Sequence, residues 1–398
     1  MGLGSWIAFT SALVGAWPAT ADVCRNVSQP DSVVACEREI AREADPVHRA
    51  TLLFLRAYAF NEAENFEAAL ADLDAALVLT PSNPLLLHER AYTLIELARY
   101  HEAEATLDAE ARVQPDNPAV YQERALARFH QANLRGAFED RDRVVGLAPG
   151  DSEALLARAK AALWLGRFDE ARRDHAAALA LSTTPSEAGM ETDEIDLWAR
   201  STPNGRPQEL CQLERLEGTS PPPYVIGDCT AWFLSAQTPA EQADALTTRS
   251  VALRLLRGSD GAGIEDLSVA AALDPDNWRM HFNLGQSYLE VRHSWAARLE
   301  FQRSLELERN SYGYAGRSIA NFNLGDVEAA TADALASLEI EPNFQAFIVL
   351  GDIAMYHQHD TNAARRHWLA AYRLGPRDDR LIARLREVGV LNPEELTR

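Results

Sequence analysis

The sequence predicts an all-α fold in which pairs of antiparallel helices stack into a solenoid. One observation is the fixed interval of 34 residues that separates Pro81, Pro115 and Pro149. A second is alanine at the eighth and twentieth places of four units that start at residues 50, 84, 118 and 152: Ala57 and Ala69, Ala91 and Ala103, Ala125 and Ala137, Ala159 and Ala171. Helices cross closely where side chains are small, and a proline after the second helix ends it. Repeated hairpins that bury their faces on one another are therefore expected.

A second run of hairpins follows after residue 238, with a less regular pattern. Its units end at Pro275, begin at Trp278, end at Pro342 and end at Pro376, and Val251, Ser318 and Asp352 replace the alanine of the first run. Cys36 precedes Pro81 by 45 residues, and Cys229 precedes Pro275 by 46 residues. These matched spacings indicate an internal duplication, which gives two lobes of about four repeats each. Residues 378–388 are predicted to form a capping helix at the end of the second lobe.

The period, the crossing alanines and the closing prolines together resemble the tetratricopeptide repeat (TPR) family, whose unit is a 34-residue helix-turn-helix. The resemblance implies a TPR solenoid that binds proteins. In this family the first helices of successive repeats line a concave groove that receives an extended peptide or a helix of a partner. The carboxylate clamp of some family members, which needs several basic residues, is not matched here because Lys160 is the only lysine.

Carrying the family's groove positions onto this chain gives a set of candidate partner-binding residues. The set is Tyr58, His88, Tyr92, Gln122, Phe129, His130, Lys160, Trp164, Phe282 and Gln286, and the same register adds Glu62, Glu96 and Arg249. Aromatic and polar residues interleaved on one face suit the recognition of a peptide. Packing of these aromatic residues on the neighbouring repeat is the alternative.

An export signal is predicted at residues 1–21, where an apolar run ends in Pro18-Ala19-Thr20-Ala21. The domains then expected are an N-terminal TPR lobe at 22–183, a linker at 184–206 with at most one short helix around Asp193 to Ala199, and a C-terminal TPR lobe at 207–398. The location expected is periplasmic or secreted, and the alternative is an N-terminal segment retained as a membrane anchor. No segment after the signal is long and apolar enough for membrane insertion.

Four cysteines in an exported chain suggest two disulfides. Three pairings are possible, and the duplicated plan favours Cys24 with Cys36 and Cys211 with Cys229, because each pair belongs to one copy. Each bond would fix the leading helix of its lobe. A redox-active pair would favour a C-x-x-C spacing, which the sequence does not contain.

A pair of Arg and Asp separated by 16 residues recurs in four units: Arg56 and Asp72, Arg124 and Asp140, Arg158 and Asp174, Arg317 and Asp333. We expect these pairs to join the two helices of one hairpin, since the guanidinium fork matches a carboxylate. Arg90 faces Thr106 at the matching place, so it is expected to be freer to meet a partner.

The acidic balance of 38 basic against 59 acidic residues, a net charge of −21, argues against nucleic acid or an anionic membrane as a partner. No catalytic residues, metal site or cofactor are predicted. The weighed alternatives are a metal site at His357, His359, His367 and Asp360, and an enzyme site in 184–240 near Asp228 or Trp232. The function expected is a protein-interaction scaffold in a cell-envelope complex, with a periplasmic chaperone of broad client range as the alternative.

Overall fold

The computed structural model describes residues 24, 30–181, 192–201, 206–212, 222–258, 261–375 and 379–390. These residues form 21 helices and contain no β-strand. The predicted signal at 1–21, and with it the alternative of an N-terminal anchor, lies outside the described residues. The fold is the all-α solenoid of helical hairpins that the period predicts.

The first run of the chain is a leading helix and four hairpins. The leading helix is α1 (Pro30–Arg42), and the hairpins are α2 (Pro46–Glu62) with α3 (Phe66–Leu79), α4 (Pro84–Glu96) with α5 (Tyr100–Val113), α6 (Pro118–Phe129) with α7 (Leu134–Leu147), and α8 (Ser152–Trp164) with α9 (Phe168–Leu181). Side chains of Asp45, Asn83 and Asp151 accept hydrogen bonds from backbone N–H groups at the starts of α2, α4 and α8. These caps satisfy donors that a helix start leaves unpaired, so they fix where each hairpin begins.

Each hairpin turns through a residue in the left-handed backbone region. In the first run these residues are Glu64, Ala98, Ala132 and Gly166, with φ between 52° and 68°, and each lies 34 residues after the one before. Arg292, Gly325 and His359 take the same conformation in the second run. The eight crossing alanines of the first run are all buried. Turn and crossing therefore share the period that the prolines indicated.

The second run has four hairpins and a cap. Before it lie α10 (Thr192–Ala199), α11 (Pro207–Leu210) and α12 (Pro222–Ser235). The hairpins are α13 (Pro239–Arg257) with α14 (Ile264–Leu273), α15 (Trp278–Glu290) with α16 (Ser294–Leu307), α17 (Ser311–Asn323) with α18 (Val327–Ile340), and α19 (Phe344–Tyr356) with α20 (Thr361–Leu374), and α21 (Asp379–Glu387) follows. Leu381 and Leu385 of α21 are buried with Trp368 and Tyr372 of α20. The last hairpin is thus covered, as a solenoid end requires.

The described chain divides into two compact units. Unit 1 holds the residues up to Arg128 together with Glu139–Ala148, and unit 2 holds Phe129–Phe138 and the residues from Pro149 onward. The fourth hairpin therefore belongs to unit 2, because its Trp164 shares a core with Trp198 of α10 and Phe233 of α12. Helix α10 lies within the expected linker at 184–206, and its residues Ile195, Leu197 and Trp198 are buried.

Candidate functional site

The recurring Arg–Asp pairs join the two helices of one hairpin by two hydrogen bonds each. Donor–acceptor distances are 2.7 and 2.7 Å for Arg56 with Asp72, 3.0 and 2.6 Å for Arg124 with Asp140, 2.7 and 2.7 Å for Arg158 with Asp174, and 2.8 and 2.6 Å for Arg317 with Asp333. Such fork-to-carboxylate pairs fix both the distance and the rotation of the two helices. These arginines are structural, and their charge is balanced inside the repeat.

Arg90 also has partners, which corrects the expectation that it is freer than the other arginines. Its Nε donates to Asp74 Oδ1 at 2.7 Å, and one of its terminal nitrogens donates to the Thr106 hydroxyl. Asp74 belongs to the preceding hairpin. Arg124 contacts Asp108 of the preceding hairpin in the same way, at 2.7 Å. An arginine at this place therefore links successive repeats as well as the two helices of its own hairpin.

Arg249 is enclosed in the core of unit 2 and is not on a binding surface. Its side chain is fully buried and donates to Asp266 at 2.8 and 2.9 Å and to Thr230 Oγ1 at 2.9 Å. The guanidinium lies 3.8 Å from the ring centre of Trp198 and 4.8 Å from that of Trp164. The charge of Arg249 is therefore balanced by Asp266, its N–H groups have acceptors, and its guanidinium packs on aromatic rings, all within unit 2.

Four of the predicted groove residues contact residues that come later in the chain. Phe129 packs edge to face on Trp164, whose exposed fraction is 2 %. His130 Nδ1 lies 2.6 Å from Ser268 Oγ, and Lys160 Nζ lies 2.6 Å from Glu265 Oε1. The two partners belong to α14. Burial lowers the pKa of His130 to about 4, so the ring is neutral near pH 7. At these four groove positions, the contacts are made by the protein's own residues.

In unit 1 the predicted residues Tyr58, His88, Tyr92 and Gln122 are half-buried and lie on the first helices α2, α4 and α6. We call the surface formed by these residues with Glu62, Glu89, Glu96 and Glu123 the first-helix face of unit 1. Asn61 of α2 donates to Glu89 Oε1 at 2.8 Å and to Thr93 Oγ1 at 2.9 Å, so α2 and α4 are tied together here. The face presents aromatic rings and carboxylates side by side.

Four carboxylates act on the Tyr92 hydroxyl. Burial, followed by the charges of Glu96, Glu89, Glu62 and Glu123, raises the pKa of Tyr92 well above its ordinary range. Burial also raises the pKa of Glu96 and that of Glu123. Glu96 and Glu123 make neither a hydrogen bond nor an ion pair within the described part of the chain, although the charges of His88 and Arg141 act on Glu123. Partial burial therefore opposes the ionisation of both carboxyl groups, and neither has a bonded cation among the described residues to offset it.

A further carboxylate reaches this face from the second helix of the same hairpin. Glu110 of α5 is 1 % exposed, its Oε1 lies 3.3 Å from His88 Nδ1, and its Oε2 accepts no hydrogen bond among the described residues. Burial lowers the pKa of His88, but the contact with Glu110, together with the charges of Glu123 and Glu89, outweighs burial and raises it.

The remaining two predicted residues, Phe282 and Gln286, lie half-buried on α15 of unit 2. The Phe282 ring packs against Phe301 of α16, with ring centres 5.8 Å apart, and lies 6.5 Å from the ring of Tyr312, which is 53 % exposed. Phe282 therefore contributes to the core between repeats and leaves one edge at the surface.

Both cysteine pairs that the duplicated plan favours are at bonding distance, with S–S distances of 2.06 Å for Cys24–Cys36 and 2.03 Å for Cys211–Cys229. Cys36 lies in α1 and Cys229 in α12. The described residues contain no cluster of three or more His, Cys, Asp or Glu side chains placed to hold a metal ion. Among the described helices, none combines the length and apolar character needed to cross a bilayer.

Similarities between this chain and known proteins are distant. No protein-family model matches the chain, and neither does any curated protein. A solved tetratricopeptide repeat protein from Parabacteroides merdae is 14 % identical, with a TM-score of 0.32 over 85 % of this chain and 98 % of that one. MamA from Desulfovibrio magneticus is 17 % identical, with a TM-score of 0.35 over 42 % of this chain and 95 % of that one. YrrB, described as a TPR protein with an unusual peptide-binding site, is 17 % identical, with a TM-score of 0.33 over 62 % of this chain and 95 % of that one. The chain's own 34-residue hairpins, crossing alanines and left-handed turns make the fold an all-α solenoid of helical hairpins that resembles the tetratricopeptide repeat fold.

The groove positions alone miss several residues of the first-helix face. Glu89 and Glu123 each precede the arginine of their repeat, in His88-Glu89-Arg90 and Gln122-Glu123-Arg124, and they are one 34-residue period apart. This repeated Glu-Arg pair is a sequence signal that could have identified both glutamates. Glu110 occupies a place where the first and fourth units carry Ala76 and Ala178, so its charge in the core was a second signal. The enclosure of Trp164 had no local signal, because its neighbours come from later in the chain.

Proposed function

We propose that the protein is a non-enzymatic interaction scaffold outside the cytoplasm, in which the first-helix face of unit 1 holds an extended segment of a partner protein. The observation that carries this proposal is the contrast between two stretches of groove positions. Phe129, His130, Lys160 and Trp164 are engaged by the chain's own residues, whereas Tyr58 and Tyr92 keep part of each ring exposed beside polar groups. Rigid aromatic side chains with a polar tip are the typical anchors of protein interfaces.

The two disulfides support a location outside the cytoplasm, because such bonds persist in oxidising compartments. The predicted signal at 1–21 agrees with that location. A scaffold of a cell-envelope complex fits both features and needs no bound cofactor.

Site-specific cross-linking in the source cells tests this proposal. A photo-reactive phenylalanine analogue replaces Tyr92 in one variant of the full chain and Val78, an 80 % exposed residue of α3, in the control variant. We expect the probe at Tyr92 to give one dominant adduct that mass spectrometry identifies, and the probe at Val78 to give none of it. The same adducts from both positions, or none from Tyr92, would remove the face as the site of binding.

A further inference from the structure

The carboxylates of the first-helix face define the chemistry of its occupant. Glu62, Glu89, Glu96 and Glu123 come from three successive first helices, and the charges of all four act on Tyr92. Glu89 accepts from an amide, Asn61, and no arginine or lysine bonds Glu96 or Glu123 in the described chain. Elsewhere in unit 1, arginines bond Asp72, Asp74, Asp108 and Asp140 at 2.6 to 3.0 Å. Unit 1 thus pairs its structural carboxylates with arginines and leaves those of this face without them.

Glu110 adds an observation that is independent of the surface carboxylates. It is almost wholly buried, is within 3.3 Å of His88 on this face, and keeps one carboxylate oxygen without a hydrogen bond. The two neighbouring units are apolar and buried at this place, where they carry Ala76 and Val144. The core behind this face therefore holds a carboxylate oxygen without a hydrogen-bond partner among the described residues, where an apolar side chain would have none to satisfy.

We propose that the first-helix face of unit 1 binds a cationic, arginine- or lysine-bearing segment of a partner protein, with a basic side chain beside the Tyr92 ring between Glu96 and Glu123. This inference rests on the proposed function and names the chemical class of its partner. The guanidinium or ammonium group replaces the missing counter-ion of the two carboxylates, and its apolar stem or flat face packs on the tyrosine ring. Binding therefore relieves a desolvation cost that the free protein carries.

Binding of defined peptides to the full chain, followed by fluorescence anisotropy, tests the proposal. The probes are a labelled 12-residue peptide that alternates Ser and Arg, and matched peptides with Gln or Glu in place of Arg. We expect the Arg peptide to bind at least about tenfold more tightly than the Gln peptide, and the Glu peptide to be weaker still. Raising the salt concentration from about 0.05 M to about 0.5 M should weaken the Arg peptide by about tenfold or more. Equal binding of the Arg and Gln peptides would overturn the proposal.

A matched pair of double variants separates the face from the general acidity of the chain. Glu96→Gln with Glu123→Gln removes two charges from the face, and Glu67→Gln with Glu139→Gln removes two exposed charges from the second helices of unit 1. We expect about tenfold weaker binding of the Arg peptide for the first variant and less than about twofold for the second. Equal losses would show non-specific attraction only. Circular dichroism checks the fold of both variants, and the first is expected to melt at the same or a higher temperature.

A fourth probe distinguishes the two proposals from each other. A peptide selected on the full chain from a random display library is tested on Tyr92→Ala and on the Glu96→Gln, Glu123→Gln variant. Suppose that Tyr92→Ala weakens binding of a selected peptide that lacks basic residues, and that the Glu96→Gln, Glu123→Gln variant binds this peptide as the original chain does. The proposed function then stands and the cationic occupant is refuted. If Tyr92→Ala weakens no probe at all, the proposed function fails. Selected peptides rich in Arg or Lys that lose binding to both variants support both proposals.

Discussion

At the scale of single residues, the protein contains two kinds of carboxylate: those that bond an arginine and those that do not. Arginine and carboxylate are paired wherever they hold helices together, most completely at Arg249 and Asp266, which are buried with Trp164 and Trp198 around them. On the first-helix face of unit 1 the carboxylates have no such arginine. Pairing and its absence therefore separate structural charges from those that we assign to binding.

The Arg249–Asp266 pair provides a double-mutant test of this distinction. Arg249→Met strands a buried carboxylate, so we expect unit 2 to lose about 3 to 5 kcal/mol of unfolding free energy. Adding Asp266→Asn to Arg249→Met should restore a large part of that loss, because no charge is then left unpaired. Urea denaturation followed by circular dichroism measures Arg249→Met, Asp266→Asn and the double variant, and additive losses from the two single substitutions would contradict a mutual pair.

Glu96 and Glu123 give a pH prediction with a definite sign. Burial raises the pKa of each carboxyl above its ordinary value of 4.5 in the folded state, so the folded state binds more protons than the unfolded state just above pH 4.5. Stability therefore falls as pH rises through the interval between 4.5 and the raised values. Protonation of His88 and the charge of Arg141, which face Glu123, moderate this effect.

We accordingly expect Glu96→Gln with Glu123→Gln to raise the unfolding temperature at pH 7 and to leave it nearly unchanged at pH 4. Differential scanning calorimetry at the two pH values measures the change. A variant that is less stable at pH 7 would show that these carboxylates have stabilising partners.

At the scale of the helical hairpin, the turn carries the most regular backbone feature. Glu64, Ala98 and Ala132 hold a left-handed conformation that costs about 1 kcal/mol for a residue with a Cβ, whereas Gly166 takes it at the same place without that cost. We expect Ala98→Gly to increase the unfolding free energy by about 0.5 to 1 kcal/mol. Ala109→Gly, inside α5, serves as the control and should decrease it by about 1 kcal/mol.

Chemical denaturation of both glycine variants measures these changes. A destabilising Ala98→Gly would mean that flexibility in the unfolded chain outweighs relief of the turn. Gly166 already stands at the equivalent turn of the fourth hairpin, so Ala98→Gly tests whether the left-handed conformation is costly for alanine.

The sequence predicted the hairpins well because their signals are local. Three signals recur with the period. The prolines follow the ends of second helices, the alanines such as Ala103 are buried where helices cross, and the Arg–Asp pairs join the two helices of one hairpin. The candidate site was less accessible to the sequence. The family's groove positions predicted Trp164 and Arg249 to lie on the binding surface, but their enclosure depends on α10 and α12, whose placement no periodic pattern specifies.

At the scale of the whole molecule, each disulfide belongs to a different compact unit. Cys24–Cys36 lies in unit 1 and closes a loop on α1, and Cys211–Cys229 lies in unit 2 and fixes α12. In the chain-entropy account, a loop of this length contributes about 3 kcal/mol by restricting the unfolded chain. The two bonds should therefore stabilise different parts of the protein.

We expect Cys211→Ala with Cys229→Ala to increase amide hydrogen exchange in α12 and α13 and to leave α2 and α3 unchanged. Cys24→Ala with Cys36→Ala should do the reverse. Hydrogen exchange read by mass spectrometry on the two variants tests this assignment. Equal effects of both variants on all four helices would show that the units lose structure as one.

The enclosure of Trp164 also sets an order of events during synthesis. A chain grows from its N-terminus, and early segments fold once their contacts have emerged. The helices of the fourth hairpin end at Leu181, yet the groups that enclose Trp164 extend as far along the chain as Arg249. We therefore expect the first two hairpins to fold early during synthesis. The indole of Trp164 in the fourth hairpin should stay exposed to solvent and to chaperones until α13, the first helix of the second run, has been synthesised.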